Sequence, residues 1–259
     1  MNESTPIFAK DLKTVYFTRN NFIKGKKGYD KDRTTLLKLY KATLVGDKWE
    51  NIHELPFNSD SYSTAHPALG HDEKTLYFAS DMPGTKGLSD IFKVAILGED
   101  NYGTPENLTG EINTEGRETF PYVTSNNELY FASDGHQGLG GLDIFVTKIA
   151  DDGSMSPATN IGAPVNGPMD DFAFIIDNTT KKGYFSSNRE GGKGYDDIYS
   201  LVEKTPLKIE YKQELSGIIS EVVSGEILNN AKVTLLDESF KKLGETTTDE
   251  KGNYKFDVV

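Results

Sequence analysis

Leu76-Tyr77-Phe78-Ala79-Ser80-Asp81 runs through a glycine-containing loop into Asp90-Ile91-Phe92. The chain writes the same stretch again as Leu129-Tyr130-Phe131-Ala132-Ser133-Asp134 ahead of Asp143-Ile144-Phe145. A third copy reads Gly183-Tyr184-Phe185-Ser186-Ser187-Asn188 ahead of Asp197-Ile198-Tyr199. Tyr77 and Tyr130 stand 53 residues apart and Tyr130 and Tyr184 54, and the interval from Asp81, Asp134 or Asn188 to the following aspartate is 9 in every copy. A period near fifty built of short aromatic strands is the mark of propeller blades, whose sheets bury their faces only against neighbouring copies.

Working outward, Thr14-Val15-Tyr16-Phe17-Thr18-Arg19-Asn20 is a fourth, earlier copy, with Thr5-Pro6-Ile7-Phe8 as the strand before it. Its loop, Lys24 to Arg33, is longer and basic and reads as a solvated hairpin tip, since lysine at strand edges blocks unwanted pairing. Its third strand has Lys38 where the aspartate is expected. The expected fold is all-β: a propeller of four visible blade repeats over residues 1–204, then a linker at 205–214 and a truncated β-sandwich module at 215–259. Because the first copy opens in mid-pattern, at least one further blade is expected upstream, making the four part of a larger ring.

Each full copy divides into four strands; in the second they fall at about His66–Leu69, Thr75–Ser80, Asp90–Ile96 and Pro105–Leu108 by alternation and turn residues. Gly87, Gly140 and Gly194 recur at one loop position, which predicts a positive φ there. Asp81 and Asp90, Asp134 and Asp143, and Asn188 and Asp197 flank the loops and are expected to accept backbone N–H bonds and close the turns. The connections between copies carry Asn58, Asn113 and Asn166. Hairpin loops and crossovers share one edge of a meander, so they define one face of the disc. Its polar members Asn113, Arg117, Glu118, Asn166, Asp170, Asp171 and Arg189 form the candidate partner-binding surface. The plainer role for Asn113 and Asn166 is to tie adjacent blades through backbone bonds.

Composition bounds the function. With 259 residues and 36% hydrophobic content the chain can bury a sizeable core. A formal net charge of −12 repels a phosphate backbone, which argues against nucleic acid as a partner. Without cysteine there are neither disulfides nor thiolate metal sites. No signal peptide and no membrane span are expected. No serine sits in a GxSxG elbow, Gly191-Gly192-Lys193-Gly194 fails the phosphate-loop spacing, and the four histidines are scattered. Neither catalytic residues, nor a metal, nor a cofactor is expected.

The repeat, with INTEGRETFP at Ile112 to Pro121 and YFSSNREGG at Tyr184 to Gly192, resembles the WD-like β-propeller repeats of OmpA-family envelope proteins of Bacteroidetes-type bacteria. The segment Leu215 to Val259, with GNYKF at Gly252 to Phe256, resembles the carboxypeptidase-regulatory-like module that follows the propeller in that family, a name that implies no peptidase activity. The resemblance implies a non-enzymatic periplasmic scaffold associated with the outer membrane. Its partners would be envelope proteins, among them components of type IX secretion machinery. Peptidoglycan would be held by an OmpA-like domain that residues 1–259 do not contain. The alternative function is a carbohydrate-binding or hydrolytic propeller using acidic residues such as Asp170 and Asp171 near the axis.

Overall fold

The computed structural model describes the chain except residues 1, 24–25, 29–33, 99, 109–110, 208, 210–212 and 259. Most of the basic loop of the first copy, Lys24 to Arg33, therefore lies outside the described residues. Among the described residues every regular element is a strand. No helix is long and apolar enough to cross a membrane.

The period-53 repeat becomes four antiparallel sheets in chain order, a four-blade β-propeller arrangement. The first blade runs Glu3–Phe8, Thr14–Asn20, Leu37–Val45, Lys48–Glu54. The second runs Thr64–Leu69, Thr75–Ser80, Asp90–Gly98, with Asn101–Tyr102 and Glu106–Asn107 both pairing the third strand. The third is Glu118–Val123, Glu128–Ser133, Asp143–Lys148, Thr159–Asn160. The fourth is Asp171–Asp177, Lys182–Ser187, Asp197–Val202.

Alternation along each hairpin sorts its residues onto two faces. Phe78 pairs with Phe92, Phe131 with Phe145, Phe185 with Tyr199 and Phe17 with Tyr40. Their rings lie 6.0, 6.0, 5.5 and 5.8 Å apart, all stacked, so the same aromatic pair rivets each hairpin. The opposite face carries the motif tyrosine and the Ile or Leu after the Asp or Lys. Blades join by tyrosine face on phenylalanine face. Tyr16 and Leu39 meet Leu76, Phe78, Phe92 and Val94; Tyr77 and Ile91 meet Leu129, Phe131 and Phe145; Tyr130 and Ile144 meet Phe174, Ile176 and Phe185. Leu207 and Ile209, within the expected linker, also pack on this last cluster.

The first strand of every blade contains a bulge at one position. Register shifts between Ser4 and Ile7, Ala65 and Ala68, Thr119 and Tyr122, and Phe172 and Ile175. Each slip is made by a residue of positive φ: Thr5 (47°), His66 (55°), Phe120 (50°) and Ala173 (52°). None is glycine, so each costs on the order of 1 kcal/mol. A bulge sharpens local twist, and its recurrence in all four copies makes it part of the blade design.

The chain divides into two compact units, Met1–Ile209 and Glu210–Val259. The second consists of two two-stranded antiparallel sheets, Gln213–Ile218 with Asn253–Val258 and Lys232–Leu236 with Lys242–Thr247. Phe256 and Thr248 are buried in it.

Candidate interaction surface

Asp90, Asp143 and Asp197 each close a hairpin loop in one way. Asp90 accepts the backbone N–H groups of Lys86 and Gly87, Asp143 those of Leu139 and Gly140, and Asp197 those of Lys193 and Gly194 at 2.6 and 3.0 Å. Asp81, Asp134 and Asn188 work elsewhere. They accept the backbone N–H of Ser63, Arg117 and Asp170 at 2.6, 2.6 and 2.8 Å, fastening the end of the second strand to the residue just before the first.

The glycines at the sixth loop position do not have positive φ, contrary to the expectation for Gly87, Gly140 and Gly194. Space explains two of them. A Cβ on Gly87 would lie 2.5 Å from Glu115 C and Gly116 O, and one on Gly140 2.4 Å from Gly167 O and Met169 O. These loops sit directly on the next crossover, and Leu88 N–H and Gly141 N–H donate to Gly116 O and Met169 O. At Gly194 the nearest atom is Asp196 O at 3.2 Å.

Each crossover asparagine grips the third strand of the blade it has just left, and Asn58 alone of the three also reaches the next blade, its Oδ1 accepting the Thr64 hydroxyl. Ile91 N–H donates to Asn113 Oδ1, while Asn113 Nδ2 donates to Ile91 O and Leu108 O at 2.9 and 2.8 Å. Asn166 treats Ile144, and Asn58 treats Leu39, in the same manner. In the second blade Asn107 Nδ2 adds a bond to Asp90 at 2.6 Å. At the equivalent site of the third blade Asp143 Oδ1 and Asn160 Nδ2 lack partners. The first blade replaces this Asp–Asn bond with an ion pair: Lys38 takes the aspartate's place and Glu54 the asparagine's, at 3.1 Å, with Asp60 at 2.7 Å. Burial by itself would lower the Lys38 proton affinity, but the two carboxylates outweigh it and raise it.

Of the seven sequence-predicted binding residues, most are withdrawn from the surface. Asn113, Glu118, Asn166 and Asp171 are buried. Glu118 accepts Thr114 N–H and the hydroxyls of Thr114 and Ser133. Asp171 accepts Gly167 N–H and pairs with Arg189 at 2.6 Å. Arg189 also donates to Pro164 O and Val165 O and lies over the Phe185 and Tyr199 rings, so it staples the fourth blade to the crossover. Asp170 accepts Leu142 N–H and Asn188 Nδ2. Arg117 remains: its side chain is exposed and only 3.5 Å from Asp134 at closest.

The same face also carries exposed apolar side chains that the polar motif does not point to. Leu88, Leu139 and Tyr195 stand exposed in the three successive loops, and Met169 in the crossover next to Leu139. An apolar residue within an Asp/Gly loop has no use in closing the turn; that was the available signal.

Toward the bulges, His66 stacks on Phe120 with ring centroids 3.8 Å apart, and Phe120 contacts Phe172 at 5.0 Å. His66 Nδ1 bonds to the Thr119 hydroxyl at 2.7 Å. Burial pushes the imidazole down to about 4, so it is neutral at physiological pH. Among the described residues no group of three or more His, Asp or Glu could hold a metal ion. A cleft of about 630 Å³ between the second and third blades is lined by Lys93, Glu106, Asn107 and Met155 among others, and by neither Asp170 nor Asp171.

No family model matches the chain, and no curated protein matches it. Solved structures are similar in fold. An α-L-arabinofuranosidase from Lactobacillus brevis is 14% identical with a TM-score of 0.52, covering 76% of this chain and 72% of its own. A puromycin-hydrolyzing peptidase of Mycobacterium tuberculosis (14%, TM-score 0.49) is matched over 79% of this chain and 28% of its own length. TolB from Acinetobacter baumannii (14%, TM-score 0.47) is matched over 80% and 42%. The chain thus spans less than half the length of these last two.

Proposed function

We propose that the propeller is a non-enzymatic interaction scaffold that docks a protein partner through its loop face. The observation that carries this is that Leu88, Leu139, Met169 and Tyr195 each stand exposed on the hairpin loops and crossover of the face that also bears Arg117. Exposed apolar and aromatic side chains with an arginine among them match the make-up of protein-binding patches. The loops that bear them are fixed by the Asp90, Asp143 and Asp197 turns, so the surface is preorganised and binding orders little.

A hydrolytic role for Asp170 and Asp171 draws no support from their surroundings. Asp170 is bonded to Leu142 N–H and Asn188, and Asp171 to Gly167 N–H and Arg189. On the repeat's resemblance to envelope propellers, the compartment is the periplasm at the outer membrane and the partner an envelope protein, with type IX secretion components in that class. Peptidoglycan would be reached only through an OmpA-like domain and not through any residue of 1–259.

The test is capture from solubilised bacterial envelope by the chain and by a variant carrying Leu88→Asp, Leu139→Asp and Arg117→Glu. A defined protein retained by the first and lost by the second, with thermal unfolding unchanged, supports the reading. Equal capture by both overturns it. Arg189 is unsuited as a probe because its reversal would release Asp171 and the crossover.

A further inference from the structure

Two of the blade contacts place the same pair of polar residues in the cleft between blades. Lys41 stands opposite Tyr16 on the face that the first blade turns to the second, and Lys93 opposite Tyr77 on the face that the second turns to the third. Side chains directly opposite each other in a hairpin share one face. In the first cleft the next blade satisfies both: Asp100 pairs with Lys41 at 2.8 Å, and the Tyr102 hydroxyl donates to that of Tyr16 at 3.3 Å.

Asp100 and Tyr102 belong to the turn after the second blade's third strand. The third blade has a turn of the same length, since Tyr102 pairs with Ile96 and Met155 with Ile149. Counting back from these pairs, Gly153 takes the place of Asp100 and Met155 that of Tyr102. Asp100 and Gly153 also share a positive φ, 55° and 81°. Glycine supplies no carboxylate and methionine no hydroxyl, so the second cleft has neither partner. Two cavities of about 630 and 440 Å³ meet there, and Lys93 and Gly153 line both.

Tyr77 is 5% exposed and lines the smaller cavity, and its hydroxyl has no hydrogen-bond partner among the described residues. Burial and the nearby Asp72 push the phenol up to about 12, so it keeps its proton as a donor. A buried hydroxyl left unpaired is unfavourable. Lys93 pairs with Glu106 of its own blade at 3.6 Å, a looser contact than Lys41 makes with Asp100.

We infer that the second cleft binds a small hydroxylated carboxylic acid, the chemistry of a sugar acid. Its carboxylate pairs with Lys93 as Asp100 pairs with Lys41, and one of its hydroxyls meets Tyr77 as Tyr102 meets Tyr16. Asp72 and Asp151 line the same cavity. They accept the protons of further hydroxyls, whereas a bare anion would meet only their repulsion. Neither cavity is lined by Leu88, Leu139, Met169 or Tyr195, so the test does not depend on the loop face docking a protein.

The experiment is an NMR titration of the full chain with sodium D-glucuronate, run beside D-glucose, which lacks the carboxylate, and acetate, which lacks the hydroxyls. Glucuronate is expected to bind saturably and about tenfold or more tightly than either, the effect of one charge-assisted hydrogen bond. Lys93→Met should weaken it by about tenfold or more, and Tyr77→Phe should weaken it as well, with thermal melting showing both variants folded. Gly153→Asp with Met155→Tyr restores the partners found in the first cleft and should abolish binding while keeping the fold. The inference is overturned by the absence of saturable glucuronate binding, by equal binding of glucose or acetate, or by folded Lys93→Met or Gly153→Asp/Met155→Tyr variants that bind as wild type does.

Discussion

His66 sits where Phe120 sits in the next copy, on a bulge of positive φ, with its ring flat against Phe120. An imidazole there must be neutral, because burial lowers its proton affinity from 6.5 to about 4. Between those values the unfolded chain holds a proton that the folded chain refuses. Stability from this group is therefore present above about pH 6.5 and lost as pH falls toward 4, by up to about 3 kcal/mol. His66→Phe, which keeps the stack and removes the titration, is expected to lose less stability than wild type between pH 7 and pH 4.5, measured by urea unfolding at both. Equal losses in the two proteins would remove His66 from the acid response. Asn113 marks what was legible at this scale. Its recurrence with Asn58 and Asn166 was plain in the sequence, but its target, the backbone of Ile91, lies 22 residues earlier. Only the folded register brings the two together. The same holds for Lys38, which stands where the motif has an aspartate. Glu54, placed opposite by the outer strand, turns it into an equivalent tie.

At the scale of the element, the hairpin loop explains both a success and a failure of the motif. The nine-residue interval between flanking acids was readable because Asp90, Asp143 and Asp197 act within a few residues of themselves, on loop N–H groups. The glycines were misread because their constraint comes from another element. The limit on Gly87 and Gly140 is the crossover backbone 2.4–2.5 Å from where a Cβ would stand, and a crossover's path is not written in the loop. This distinction has a measurable consequence. Gly140→Ala forces the loop off Gly167 O and Met169 O and is expected to cost on the order of 2–3 kcal/mol, as an overpacked backbone contact does. Gly194→Ala meets only Asp196 O at 3.2 Å and should cost under about 1 kcal/mol. Paired chemical denaturation of the two variants checks the order. A reversal would return the explanation to backbone φ. The exposed leucines of these loops are legible in the sequence, whereas most of the polar residues beside them are engaged in holding the loops still.

For the whole molecule, the blade count and order followed from the period, because each motif tyrosine marks one sheet. What the period could not say is which copies of an identical residue are covered, since that depends on having a neighbour. Tyr130 and Tyr184 occupy the same register position, opposite Val146 and Ser200. Tyr130 stacks on Phe174 at 4.7 Å and burial raises its phenol well above the ordinary value, while Tyr184 is half exposed. If blade-to-blade packing is the main source of the propeller's stability, truncating the two must differ sharply. Tyr130→Ala is expected to cost about 3–5 kcal/mol, the range for removing a buried aromatic ring. Tyr184→Ala should cost less than about 1 kcal/mol when measured in dilute solution. Thermal melts of both variants and wild type read this directly. A large Tyr184→Ala cost already present in dilute solution would mean that the fourth blade's tyrosine face is covered within the monomer.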